Sequence, residues 1–319
     1  MPRLPLTVAL EHYDRHVPLL DGSVTHEALD LTVLHVGQVT PSAHGRDRHE
    51  RMIRAREFDV AEVSLSSYLM ARDRGLPLTA VPIFPRRLFS QPQMYCHAGS
   101  RIEAPRDLAG KRVGVNSFQT TLSVLAKGDL QEEYGVPWRT IHWFTVNEEA
   151  LPFAPPAGVD IRPIPAGRRI AEMVAAGELD AVILPHPPRG VLEGTGVRRL
   201  FPDARGETLR YFEKNGYFPI MHVVALKTEL AERHPWLATA LCETFERAFA
   251  VARDYYDDPN WSRLAWGRLF VDEERIALGT DPWPNGLARN RANLERFIRY
   301  SADQGLIAGP MPVESLFVA

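Results

Sequence analysis

From position 58 to position 84 the chain reads as strand, helix and strand in turn, and this alternation restricts its fold more than any other feature. The apolar residues of FDVAEVS (58 to 64) suit a buried strand. SSYLMARDRG (66 to 75) reads as a helix opened by serine and closed by glycine, and LTAVPIF (78 to 84) as the next strand. Further strand candidates lie at LTVAL (6 to 10) and LDLTVLHV (29 to 36), with the helix-like HERMIRARE (49 to 57) after them. Strands alternating with helices imply a mainly parallel sheet covered on both faces, hence an α/β class.

The pattern restarts after a break. PRDLAGKRVGV (105 to 115) is a short helix, a glycine stop and a strand, and SFQTTLSVLAKGDLQEEYGV (117 to 136) is a helix that opens on hydroxyl-rich residues. IHWFTV (141 to 146) suits a strand, the proline-rich stretch 151 to 167 a loop or edge segment, and RRIAEMVAAGELDAVILP (168 to 185) helix, glycine and strand once more. Two helices with apolar stripes follow at 235 to 256 and 287 to 306. At 319 residues the chain exceeds the usual single-core size. We therefore expect a discontinuous lobe I from 1–92 and 208–319, an inserted lobe II from 93–207, and a hinge around a central cleft.

With 45% hydrophobic and 24% charged residues the composition is that of a soluble globular protein. The net charge of −3 and the scatter of the arginines (only four of the 37 basic residues are lysine) give no reason to expect nucleic acid or an anionic membrane as partner. Cys96 and Cys242 lie far apart without metal-ligand spacing, which fits two thiols in a reducing compartment. The N-terminal apolar stretch is too short for a signal-peptide core and is broken by Pro5, so a cytoplasmic location is expected. No nucleophile elbow, phosphate-binding glycine loop, dinucleotide fingerprint or HExxH motif is present.

Several residues sit where such a fold places ligands, at strand C-terminal ends and helix N-termini. Glu11, His12, Tyr13 and Asp14 directly follow the first strand, and a solvated turn is the plainer reading of them. Ser64, Ser66 and Ser67, at a strand-to-helix turn, fit either a helix cap or a carboxylate cradle. Ser117, Gln119, Thr120 and Thr121 repeat that arrangement in lobe II. Arg86 and Arg87 offer guanidinium forks that match a carboxylate, although an arginine in this chain is usually a surface residue. His186, between prolines, fits a site or a structural turn. In NGYFPIMH (215 to 222), Gly216 and Pro219 shape the backbone and His222 projects from an apolar support, as a core histidine or as a functional one.

The stretches EVSLSSYLMARDRG (62 to 75), VPIFPRRLF (81 to 89), IEAPRDLAGKRVGV (102 to 115), GYFPIMH (216 to 222), ERHPWLATAL (232 to 241) and DPWPNGLARNRANLERFIRYSADQGL (281 to 306) together resemble the 4,5-dihydroxyphthalate decarboxylase family over nearly the full length. The resemblance implies the type II periplasmic-binding-protein fold and a non-oxidative decarboxylase of a hydroxylated phthalate-type acid. The chain departs from the family pattern at Ser90 and Gln91, where Arg-His would be expected.

Losing CO₂ directly from an aromatic ring would leave an aryl carbanion. A hydroxyl para to the carboxylate avoids it, because removing the phenolic proton pushes charge onto the ring carbon, which is protonated before CO₂ leaves. The protein must then supply a base, an acid and an anchor for the second carboxylate. On that chemistry the expected acid is His222 and the expected base His12, oriented by Asp14 or Glu11. Arg86 or Arg87 with Ser66 and Thr120 would anchor the carboxylates. No cofactor is expected, although a divalent metal on His12, His222 and a first-turn carboxylate would also fit. The expected partner is a small aromatic carboxylate, with homo-oligomerisation left open. The alternative is a solute-binding or ligand-sensing protein of the same fold that closes on an aromatic carboxylate without reacting.

Overall fold

The computed structural model describes residues 2–37 and 47–318. Its strands in chain order are β1 (Leu4–Leu10), β2 (Leu29–His35), β3 (Val60–Ser64), β4 (Leu78–Arg87), β5 (Met94–His97), β6 (Arg112–Val115), β7 (His142–Thr145), β8 (Ile161–Pro163), β9 (Ala181–Ile183), β10 (Val197–Arg199) and β11 (Ile220–Lys227). The helices that matter below are α1 (Arg48–Ala55), α2 (Leu65–Asp73), α3 (Thr121–Tyr134), α4 (Ala204–Asn215), α5 (Leu237–Tyr255), α6 (Gly267–Leu278) and α7 (Leu287–Asp303).

The chain divides into two compact units. One comprises Met1–Arg87, Ile220–Ala292 and Met311–Ala319, the other Leu88–Pro219 and Asn293–Pro310. The return of Asn293–Pro310 to the second unit has no counterpart in the strand-helix alternation. It falls inside α7, whose uninterrupted apolar stripe gives no sign in sequence that its two ends belong to different units.

The first unit holds a five-stranded sheet in the order β2-β1-β3-β11-β4. β1 runs parallel to β2 and β3, whereas β11 is antiparallel to both β3 and β4. Val8, Leu10, Val60, Val81 and Val224 from its strands pack with Leu237, Leu241 and Phe245 of α5. Burying such a side chain contributes about 1.5–3 kcal/mol. Helix α2 is buried from Leu65 to Ala71, Ser66 and Ser67 included.

The second unit holds a six-stranded sheet, β10-β5-β9-β6-β7-β8. β6 is parallel to β7 and β9, and β7 to β8, while β5 is antiparallel to β9 and β10. Strand β8 is an edge strand within the proline-rich segment, where few ladder donors are needed. Gly128 of α3 lets the Tyr300 ring of α7 lie against the helix, since a Cβ there would stand 2.1 Å from a ring atom. Gly216 (φ 74°) closes α4 in the left-handed region and turns the chain toward β11.

Candidate active site

The first unit buries a cluster of opposite charges at the C-terminal ends of β1 and β3. Glu62, on β3, is fully buried. Its Oε1 accepts from Nδ1 of His222 on β11, and Arg48 Nη2 of α1 lies 2.9 Å from the same oxygen. Oε2 accepts from the Glu11 backbone N–H at 3.2 Å. Arg48, also fully buried, reaches back through Nη1 to Glu11 Oε2 at 3.1 Å and to the Val36 carbonyl at 3.2 Å. The local backbone explains how His222 reaches Glu62. The pairing of β11 with β4 slips on both sides of His222, and such bulges re-aim side chains.

His49, next to Arg48, completes the cluster. Its Nδ1 accepts the Ser64 backbone N–H at 3.0 Å, and its ring meets that of His222 edge to face, with centroids 4.8 Å apart. A ring nitrogen that accepts a backbone N–H carries no hydrogen, so His49 is protonated on Nε2. His222 has the opposite arrangement. Its Nδ1 faces a carboxylate, which only accepts, so Nδ1 carries the hydrogen and Nε2 the lone pair.

Burial alone would raise the Glu62 carboxyl, but Arg48 and then His222 hold it well below the usual carboxylate range. Burial pushes the His222 imidazole down to about 4, against the pull of Glu62. These directions compete, because a charged His222 would favour ionised Glu62 while burial favours a neutral imidazole. The cation that settles the balance is Arg48: it already neutralises Glu62, so the site at neutral pH holds a carboxylate, a guanidinium and a neutral His222. His49 is likewise lowered well below its ordinary value, by burial first and by Arg48 second.

The other residues singled out in the sequence are distributed as follows. Glu11 belongs to the cluster, but Asp14 does not: it accepts from Tyr256 Oη at 2.6 Å and pairs with Arg15 at 2.9 Å. The His12 ring is exposed, 5.3 Å from that of His35, while Glu11 accepts from the His12 backbone at 3.1 Å. Neither Asp14 nor Glu11 therefore orients the His12 ring as expected, because both carboxylates are spent on other partners. Ser64 contributes its N–H to His49, whereas Ser66 and Ser67 are 0% and 5% exposed on the buried helix α2. Arg86 stands opposite His222 on β4, and its charge reaches His222, His49 and Tyr13. Arg87 is structural instead, with Nη2 donating to the Pro284 carbonyl at 2.6 Å and Asn290 Oδ1 at 2.7 Å.

In the second unit, the backbone amides expected to cradle a substrate carboxylate already hold one of the chain's own. Phe118 N–H and Gln119 N–H donate to Glu149 at 2.6 and 3.1 Å. The Gln119 side chain is paired with the Leu151 backbone, and Thr120 Oγ1 lies 2.6 Å from Ser123 Oγ and 3.3 Å from the Ser117 carbonyl. Ser117 and Thr121 are buried, and His186 is exposed. Ser90 and Gln91, where the chain leaves the family pattern, are buried as well, and Ser90 Oγ donates to Asp129 at 2.6 Å. Among the described residues no group of three or more His, Cys, Asp or Glu side chains is arranged to hold a metal ion. No helix among them is long and apolar enough to cross a membrane.

Glu62, Arg48 and His49 were not among the sequence candidates. The available signal for Glu62 was a lone carboxylate inside an otherwise apolar strand, a position that is affordable only with a buried partner. Arg48 and His49 open a helix whose other polar residues read as surface, and nothing local marks them.

The fold of the chain matches solved structures over nearly its whole length. The periplasmic aliphatic sulphonate binding protein SsuA from Escherichia coli aligns with a TM-score of 0.60 at 14% identity, covering 100% of this chain and 98% of that one. The desulfurization enzyme DSZB aligns at 0.51 and 17%, covering 99% and 96%. The fold is therefore the periplasmic-binding-protein-like one, here carrying a buried histidine, carboxylate and guanidinium. The NMT1/THI5 like family matches residues 35–146. Over 99% of the chain and 97% of the relative, the sequence is 34% identical to 4,5-dihydroxyphthalate decarboxylase of Comamonas testosteroni. It is 32% identical to the Pseudomonas putida protein of the same name, over 68% of this chain and 84% of that one. The chain belongs to the 4,5-dihydroxyphthalate decarboxylase family.

Proposed function

We propose that the protein is a carboxy-lyase that removes CO₂ without oxidation from a hydroxylated phthalate, 4,5-dihydroxyphthalate or a close analogue, with His222 as the base. The observation that carries this reading is the buried line from Arg48 through Glu62 to His222. A neutral imidazole whose Nδ1–H is fixed on a carboxylate offers Nε2 to a phenolic hydroxyl. The imidazolium formed on taking that proton is stabilised by Glu62.

This reverses the role expected of His222, which becomes the acceptor. The ring carbon para to the ionised oxygen then takes a proton from a second donor, for which exposed His12 at the end of β1 is our candidate. The bond to the carboxylate breaks, its electrons return to the ring oxygen, and CO₂ departs. The product phenolate recovers its proton from the His222 imidazolium, and His12 is reprotonated by water. Arg86, opposite His222, is the anchor we assign to the remaining carboxylate. We place the enzyme in the cytoplasm, a reading supported by its two cysteines, both free thiols.

Incubation with 4,5-dihydroxyphthalate should yield CO₂ and protocatechuate in equal amounts. The SsuA-like fold favours one other reading, a receptor for an aromatic carboxylate. Saturable binding of this acid with no CO₂ released would establish that reading and remove ours.

A further inference from the structure

Tyr13 lies two residues beyond Glu11, at the turn that follows β1, and that turn fixes its backbone. Its N–H donates to the Glu11 carbonyl at 2.9 Å, and its own carbonyl accepts from the N–H groups of His16 and Val17 at 2.9 and 3.1 Å. Glu11 is in turn bonded to Glu62 and Arg48. The ring is held as well. The Arg15 guanidinium lies over it, 4.1 Å from the centroid, and 4.5 Å from the ring of Trp283, between α6 and α7. Asp14, at 2.9 Å, and the Pro85 carbonyl keep that guanidinium in place. The His16 ring stands 5.5 Å from that of Tyr13.

The hydroxyl at the end of this ring is unused. Tyr68, Tyr134, Tyr211, Tyr256 and Tyr300 each donate to an oxygen of the chain. Among the described residues Tyr13 Oη has no such acceptor, although the residue is half-buried. Burial raises the phenol above its ordinary value and Glu62 raises it further, while Arg86, Arg48 and Arg15 offset only part of that rise. The hydroxyl therefore keeps its hydrogen at neutral pH, and the charge that acts on it most is the carboxylate behind His222. A phenol that is ordered and protonated but has no acceptor within the chain is set for one that arrives from outside.

We propose that Tyr13 is the residue that selects a substrate with two adjacent hydroxyls, its Oη donating to the oxygen next to the one that His222 deprotonates. The assignment rests on the decarboxylase reading given above. Loss of CO₂ requires only the para hydroxyl, so discrimination for the vicinal pair comes from a residue that touches the second one. The two hydroxyls are neighbours on the ring, and the carboxylates lie across it. A donor on which Glu62 acts more strongly than Arg86 is on the hydroxyl side, whereas Arg86 serves the carboxylate. The second hydroxyl accepts from Tyr13 and donates to the ionised oxygen beside it, so both of its hydrogen-bonding roles are filled.

The test compares 4,5-dihydroxyphthalate with 4-hydroxyphthalate, which keeps the para hydroxyl and lacks its neighbour, by CO₂ release and by calorimetry on wild type and Tyr13→Phe. Wild type should favour the dihydroxy acid by about tenfold or more in kcat/KM, and Tyr13→Phe should lower that ratio about tenfold. Its melting temperature should match wild type, because no bond within the chain is removed. The ratio is the decisive readout, since a structural role would lower both rates together. A variant that keeps the wild-type ratio, or loses rate on both acids equally, would overturn the proposal. A drop in melting temperature would show that the hydroxyl is engaged inside the chain and would overturn it too. If wild type releases no CO₂ from either acid, the decarboxylase reading falls by itself and affinity decides for Tyr13. Tighter binding of the dihydroxy acid that Tyr13→Phe abolishes would then uphold the assignment, and equal wild-type affinities for the two acids would overturn it.

Discussion

Each unit seals a carboxyl group from water, and the two are held in opposite states. Glu62 in the first unit has a guanidinium at 2.9 Å and stays ionised. Asp129 in the second unit meets only hydroxyls: Ser90 at 2.6 Å, Tyr300 at 3.3 Å and Tyr211 at 3.4 Å. Burial pushes it up to about 7. Arg296 lies near Asp129, but its guanidinium is engaged by Glu133 at 2.5 Å. Neutral donors do not offset the loss of hydration around a carboxylate, whereas one buried cation does. Glu62 can therefore serve as a fixed anion behind His222, a part that Asp129 cannot play.

The severest test removes the anion. Glu62→Gln leaves Arg48 buried without its main counter-charge and should cost about 3–5 kcal/mol of stability. In the surviving folded fraction, turnover should fall ~10²–10⁴-fold, because His222 loses the group that fixes its tautomer and stabilises its charged form. Urea melts and single-turnover rates on one preparation measure both. A stability loss below about 1 kcal/mol would mean that Arg48 is not balanced by Glu62 and would break the contrast between the units.

A smaller effect is expected at Asp129, with its sign set by proton linkage. The folded value of about 7 lies above the ordinary 3.8, so the folded protein binds this proton more tightly, and stability falls as pH rises from about 4 to about 7. His222 works in the other direction. Its folded value of about 4 lies below the ordinary 6.5, so the unfolded chain takes the proton first, and stability rises across that window. Asp129→Asn removes only the falling contribution. The variant should gain on the order of 1–4 kcal/mol over wild type at pH 8 and much less at pH 4, read from urea midpoints at the two values. Equal offsets at both pH values would show that Asp129 titrates normally.

Ser90→Ala should have the mildest consequence. Losing the shortest hydroxyl donor to Asp129 should lower stability by about 1 kcal/mol and extend the falling window to higher pH. Thermal melts from pH 6 to pH 8 follow both changes. An unchanged window would remove Ser90 from the proton balance.

What the sequence made legible follows the range of the interactions involved. The run through β3, α2 and β4 was readable because strand and helix periods are local, and the family motifs extended that reading to the fold. His222 was readable because Gly216, Pro219 and the apolar residues before it mark a shaped support. The partner of His222 was not, since Glu62 lies 160 positions away and pairs with it only after β11 has entered the sheet. A shorter separation was enough to hide Glu149, whose carboxylate occupies the amides of Phe118 and Gln119 from 30 or more residues downstream. Hydroxyls before a helix suggest an anion site, but their spacing does not say that the chain fills the site itself.

The position of β11 between β3 and β4 also shapes the history of each new chain. A ribosome releases the two flanking strands first, and residues 88–219 follow before the strand that joins them. At ~5–20 residues per second that interval is on the order of ten seconds. Throughout it two strand edges lack their common partner, and such edges are templates for association with other chains. Arg48 and Glu62 are already synthesised by then, but His222 is not. The first unit thus gains the strand between β3 and β4 and its His222 in one late event, and a nascent chain depends until then on whatever keeps those edges from pairing elsewhere.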